Sequence, residues 1–385
     1  VTLPGKVFVA AHVSKIYGPV QALQHYLRDR KSDFSLVSLP FSYAGMQSAL
    51  CQGFVGGELV ETRRGHASRG WDPWLWAKDF AYVLRQGWKA GESSPVDLFI
   101  GVDNLNASAG LLLRLAGRVK SVAFYVIDYT DRRFENALLN WIYQAFDRFA
   151  VAGADSVWNL SERMRVVRRR QGLAEERNLL VPVGVELGAV KHRPKSAIRR
   201  KRLLYMGALQ KGKGIELLIG AFPEIRRRAP GAELHIIGFG PLEAELKRLV
   251  ASSSAKAAIR MPGGMGHDAL FSEVPAYGVA FAPYLDEPGS YSWWCDPTKP
   301  KEYLACGLPL IITKVPWIWE RVADPRKPMG VAIDVDKDQL VEASVKLLRD
   351  ERFYWRCRKN ALEFASGLAW DSIYDRAFGG THGRD

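Results

Sequence analysis

The 385 residues exceed what one hydrophobic core usually serves, and 48% hydrophobic against 25% charged residues describe a globular chain of two domains. No apolar run is long enough to span a membrane and residues 1–19 lack the layout of a signal peptide, so a cytoplasmic location is expected. Four scattered cysteines, Cys51, Cys295, Cys306 and Cys357, form no pair at metal-ligand spacing, while a net charge of +13 calls for an acidic partner: nucleic acid, an anionic membrane surface or a phosphorylated substrate.

In chain order, residues 6–11 read as a strand, followed by His12, a turn at Gly18 and Pro19, and a helix over 20–27. The theme repeats: strands at 97–102, 121–127 and 155–158 alternate with helices at 107–115, 135–149 and 161–170. Between them, residues 70–89 gather Trp71, Trp74, Trp76, Phe80, Tyr82 and Trp88 with Lys78, Arg85 and Lys89. That segment reads either as an interfacial helix, indoles at head-group depth and cations on anionic lipid, or as a helix packed on its own domain. Arg163, Arg165, Arg168, Arg169 and Arg170 form one basic run, and residues 191–202 form a second that reads as a linker. Alternation then restarts, with strands at 203–207, 233–238, 259–261 and 279–283 and helices at 214–228, 241–251 and 267–274. The expected architecture is α/β: two doubly wound Rossmann-like domains facing each other across a cleft, spanning 1–190 and 203–365, with a C-terminal helix over 366–385 crossing back to the first.

Residues 296–312 (DPTKPKEYLACGLPLII) concentrate the chemistry. Lys299 and Glu302 are three apart, so a helix opening near Pro297 puts them on one face, and Gly307 can end it before an apolar strand. A cation and a carboxylate at a helix mouth suit phosphate and ribose; the same spacing also makes an ordinary surface ion pair.

Four segments in order, 205–219 (YMGALQKGKGIELLI), 235–240 (HIIGFG), 280–284 (AFAPY) and 296–312, resemble the nucleotide-sugar domain of glycosyltransferases with two Rossmann-like domains, the GT-B type, and of the group 1 bacterial family in particular. Gly207 would let backbone approach a diphosphate, the helix after Gly214 would present free amides, and Lys211 or Lys213 would add charge. The resemblance implies a ribose-binding Glu302 and a phosphate-side Lys299. The donor half is also similar to the inverting xanthan-type glucuronosyltransferases, which implies donor contacts from Tyr284, Asp296, Lys299, Tyr303 and a turn at Gly264 and Met265 beside the uracil ring. The chain departs from the large retaining family in having Ala208 where an arginine is usual and Trp294 where a second glutamate is usual.

These likenesses imply a metal-independent hexosyltransferase without cofactor that moves glucuronate or another hexose from a UDP-sugar to a lipid-linked or glycan acceptor, at the inner face of the cell membrane in polysaccharide synthesis. An inverting enzyme needs a base, and Asp128, at the end of a first-domain strand, is the candidate; Asp128 or Asp131 can equally cap the next helix. Asp103, with Asn104 and Asn106, either binds acceptor hydroxyls or caps a helix, and His12 sits at the same strand edge. The alternatives are a retaining enzyme of the same fold and, more remotely, a nucleic-acid binder resting on charge alone.

Overall fold

The computed structural model describes residues 2–13, 17–41, 48–67, 74–286 and 291–382, so Trp71 lies outside the described residues. The chain divides into two compact units, one of residues 1–183 with 370–385 and one of residues 184–369.

The first unit runs β1 (Lys6–Val13), α1 (Pro19–Asp29), β2 (Asp33–Pro40), β3 (Ser48–Val55), β4 (Glu58–Ala67), α2 (Leu75–Ala90), β5 (Val96–Val102), α3 (Asn104–Leu115), β6 (Val119–Val126), α4 (Ala137–Gly153), β7 (Ser156–Asn159), α5 (Glu162–Arg170) and β8 (Asn178–Leu180). Its sheet has the order β4-β3-β2-β1-β5-β6-β7-β8. The β2/β3 and β3/β4 pairs are antiparallel and the rest are parallel. Parallel strands covered on both faces read as near-continuous apolar runs, and β1, β5 and β6 are buried along most of their length. The hairpin is an addition that periodicity does not announce, because β4 is an edge strand of mostly exposed, charged residues. The chain's last helix, Trp370–His382, returns to this unit: Tyr26 stacks on Phe378 at 5.5 Å and donates from its hydroxyl to Asp375 at 2.9 Å.

The second unit contains β9 (Arg199–Met206), α6 (Ile215–Arg228), β10 (Glu233–Ile237), α7 (Glu243–Ser252), β11 (Ile259–Gly263), α8 (His267–Glu273), β12 (Tyr277–Ala282), α9 (Tyr291–Trp294), α10 (Thr298–Ala305), β13 (Leu310–Thr313), α11 (Trp319–Val322), β14 (Gly330–Ile333), α12 (Lys337–Arg349) and α13 (Glu351–Ala365). Its sheet is wholly parallel in the order β11-β10-β9-β12-β13-β14. The strand order reverses beside β9, the position where doubly wound sheets open a ligand crevice at their carboxyl ends.

The first basic run is not a simple solvated face, whereas Lys191, Arg193, Lys195, Arg199 and Lys201 of the second are exposed. Arg168 is fully buried, paired with Asp147 and lying over the rings of Phe124 and Tyr129, while Arg165 and Arg169 pair with Glu162 and Glu175. The stretch 191–202 lies within the second unit, and its last four residues open β9. Among the described residues no helix is long and apolar enough to cross a membrane.

Candidate functional site

In the second unit, the loops that leave the carboxyl ends of β9, β10, β11 and β12 lie side by side. Gly214 caps α6 in the left-handed region at φ +64°, and a Cβ there would sit 1.9 Å from the Pro283 carbonyl oxygen. Only glycine permits this approach of two backbones. Leu285 N donates to Gly212 O at 2.9 Å, and Thr313 Oγ1 donates to the Tyr284 carbonyl at 2.6 Å, which locks the loop of 207–214 against the segment after β12. Across from it Gly238 N donates to Gly263 O at 2.9 Å, and Leu209 N to Phe239 O at 3.0 Å. The glycine loop, the turn of Gly264 and Met265, and Tyr284 are therefore brought to one edge.

Lys213 lies over the Tyr284 ring at 4.7 Å, and burial lowers the pKa of its ammonium group. Lys211 is exposed on the same loop. Lys299 Nζ contacts Glu302 Oε2 at 2.7 Å in the first turn of α10, so the spacing does form an ion pair; Glu302 is 11% exposed and Lys299 41%. α10 is tied to the strand edge by Tyr303, whose hydroxyl accepts from Met206 N at 2.6 Å and donates to Met206 O at 2.9 Å. Tyr303 is thus 1% exposed and its polar atom is spent on backbone: it supports the glycine loop instead of facing a ligand. Asp296 is likewise turned inward. It forms a buried pair with Lys301 and accepts from Trp317 Nε1 at 3.0 Å. Phe239, 74% exposed between two glycines, belongs to this edge and is missed by motif reading; its ring rests where Gly264 has no side chain, since a Cβ there would come within 2.7 Å of it.

The first unit supplies a second constellation. Asp128 follows β6, its Oδ2 accepting from Arg133 and its Oδ1 buried with no hydrogen-bond partner among the described residues. It does not cap α4, a role taken by Asn136. Asp131 accepts from Tyr129 Oη at 2.9 Å, and Asn104 donates to the Tyr143 carbonyl at 3.0 Å, so neither joins a cluster with Asp128 or His12. Asp103 does cap α3, accepting from Asn106 N at 2.8 Å, and also takes His12 Nδ1 at 2.7 Å. His12 Nε2 faces Asp79 at 3.2 Å, and Asp79 faces His66 at 2.7 Å. Asp79 and His66 leave no trace in the sequence, because they stand 67 and 13 positions from their partners.

Three comparisons bear on this arrangement. Residues 190–364 match the family model described as Glycosyl transferases group 1. Among solved structures, HepE from Anabaena in complex with UDP superposes with a TM-score of 0.68 at 12% identity, covering 97% of this chain and 98% of that one. Sucrose-phosphate synthase from Thermosynechococcus elongatus gives 0.67 at 18% identity, covering 97% of each chain. WaaG, a glycosyltransferase involved in lipopolysaccharide biosynthesis, gives 0.66 at 16% identity, covering 98% of this chain and 100% of the other. No curated protein matches the sequence. Residues 190–364 are thus similar to group 1 glycosyltransferases, and the chain as a whole has the GT-B fold.

Proposed function

We propose that the second unit binds a UDP-sugar and that the chain transfers its hexose to a glycan or lipid-linked acceptor. The observation that supports this most is the convergence of the glycine loop, Lys213 and Tyr284 at the strand edge beside α10, within the segment that matches group 1 glycosyltransferases. HepE has been solved with UDP, with UDP and glucose, and with UDP-glucose, which supports the same donor here. In this reading the backbone after Gly207 and the first amides of α6 meet the diphosphate, Lys211, Lys213 and Lys299 neutralise it, and Glu302 accepts from ribose. The turn at Met265 borders the base, and Tyr303 holds β9 and α10 in register. The chemistry needs no metal, because a helix end and lysines suffice to stabilise a leaving diphosphate.

Asp128 is the base in this proposal. A buried carboxylate oxygen without a partner is uncommon and is a frequent mark of a working group. Inversion follows from a single displacement assisted by one carboxylate, and the anomeric proton spectrum of the product decides between inversion and retention.

The acceptor side is proposed to meet an anionic membrane surface. Leu138, Trp141, Ile142 and Phe149 of α4 are 65%, 64%, 38% and 44% exposed. They fall at i, i+3, i+4 and i+11, one face of the helix, while Asp147, Ala150 and Val151 are buried on the other. Trp74 and Trp76 at the start of α2 are 71% and 49% exposed, and Trp76 contacts the Phe134 ring at 5.3 Å. Indoles and aliphatics beside arginines fit a lipid interface. Arg165, Arg168 and Arg169 of the first basic run are paired with carboxylates, so they are not open cations for a nucleic acid.

Thermal shift against UDP, GDP, CMP and inorganic phosphate tests the donor. A ligand at about one hundred times its Kd stabilises by about 2.7 kcal/mol, so UDP should raise the melting temperature by several degrees while phosphate alone does not. Absence of any UDP or GDP binding at millimolar concentration by calorimetry would sink the proposal.

A further inference from the structure

The first unit holds a line of four titratable side chains drawn from four elements: His66 of β4, Asp79 of α2, His12 of β1 and Asp103 at the N-cap of α3. Asp79 is fully buried, and each of its oxygens faces one imidazole, Oδ1 to His66 Nε2 at 2.7 Å and Oδ2 to His12 Nε2 at 3.2 Å. Both ring nitrogens of His12 face carboxylate oxygens, and with both carboxylates ionised the two bonds exist together only when both nitrogens carry hydrogen. His12 is therefore an imidazolium held between two carboxylates.

Asp103 receives the end of this line under unusual constraint. Its backbone sits at φ +99°, a region L residues avoid; Lys31 is the other non-glycine residue with positive φ among the described residues. Strain of this kind persists only where surrounding contacts enforce it, and it gathers at working sites. Asp103 Oδ2 accepts from His12 Nδ1 at 2.7 Å and Asn106 Nδ2 at 2.7 Å, and Oδ1 accepts from Asn106 N at 2.8 Å. A carboxylate offers about four acceptor sites, so among the described residues one on Oδ1 remains, and the side chain is 28% exposed.

We propose that His66, Asp79 and His12 are positioning residues that fix Asp103 as the carboxylate binding the acceptor hydroxyl. The inference rests on the transferase reading above and adds to it how the acceptor is oriented. Hydroxyl binding needs a carboxylate with one open lone pair in a fixed direction; the His12 ring fixes Asp103 through Oδ2, and Asp79 holds the far nitrogen of that ring. Among the described residues, the charged groups facing His12 are Asp103 on α3 and Asp79 on α2, with His66 of β4 beyond Asp79 and the Phe41 ring at 5.4 Å. Burial by itself would lower the pKa of His12, but Asp103 and then Asp79 outweigh it and raise it to about 9.

The test uses the full chain. In a nitrogen-15 NMR titration the His12 ring should keep its second proton until about pH 9. Asp79→Asn should bring that titration down by about 1 to 3 pH units, the size of an opposite-charge effect. UDP release from an equimolar mixture of UDP-glucose, UDP-galactose and UDP-glucuronate, with water as acceptor, reads the function. Asp103→Asn should slow release about a hundredfold and His66→Ala about tenfold, as misorientation does, with UDP affinity unchanged. His66→Gln, which still donates to Asp79, should recover most of the rate. Because His66 is on an exposed hairpin, its variants keep the test open even where Asp79→Asn fails to fold. His12 titrating near its ordinary value, or Asp103→Asn releasing UDP at the wild-type rate, overturns the proposal. Failure of the wild type to bind UDP instead removes the donor reading, and the titration still decides the relay.

Discussion

Replacing Tyr303 by phenylalanine separates two roles that look identical in the sequence. The hydroxyl bridges the N–H and the carbonyl of Met206, the last residue of β9, at 2.6 and 2.9 Å in a buried position. Tyr303→Phe keeps the ring and removes both bonds, leaving a donor and an acceptor without water. Each such group costs about 1–3 kcal/mol, so the pair should cost about 2–4 kcal/mol once some relaxation of the strand end is allowed. For a unit of this size that is a fall in melting temperature of about 5 to 15 °C. The assay is calorimetric unfolding with UDP titration well below the transition. UDP affinity at low temperature should stay within about threefold, less than 1 kcal/mol, since the hydroxyl faces backbone. An unchanged melting temperature together with a tenfold or greater loss of UDP affinity would refute the reasoning and return Tyr303 to direct donor contact.

Gly214→Ala should weaken UDP binding by more than about tenfold and destabilise the unit by about 1–2 kcal/mol, because the residue is left-handed and its Cβ would meet the Pro283 carbonyl. Gly220→Ala on the same helix meets nothing within 4 Å and should instead stabilise by up to about 1 kcal/mol, which makes it the control in the same denaturation series. On α4, Leu138→Glu and Trp141→Glu should each reduce co-sedimentation with phosphatidylglycerol vesicles by about tenfold, the loss of one inserted apolar side chain, with thermal stability unchanged. Equal vesicle binding by the double variant would show that this face meets something other than lipid.

The donor half was legible because its chemistry is local. Gly207, Gly212, Gly214, Lys213 and Glu302 sit in short motifs of adjacent residues, and the Lys299 to Glu302 pair follows directly from an i,i+3 helix. Tyr303 and Asp296 also sit in such a motif, but spacing does not say which way a side chain turns, and both turn into the protein. The hairpin β3 and β4 went unread for a different reason: an edge strand of Glu, Arg and Thr buries almost nothing, so it leaves no alternation to find. The aromatic segment of α2 gave its composition but not its faces, since Phe80 packs on Phe146 while Trp74 and Trp76 stand exposed.

The sequence by itself determined the two α/β halves, the alternation of strands and helices through most of each, and the glycine- and lysine-rich loop of the second, because periodicity and turn chemistry are properties of contiguous residues. Only the tertiary structure decided that Arg168 is a buried counter-ion and that His12, Asp79, His66 and Asp103 form one line. Those are contacts between residues tens of positions apart. Parallel strands brought side by side by crossovers create them, and no local pattern encodes which side chains will meet at the sheet's edge.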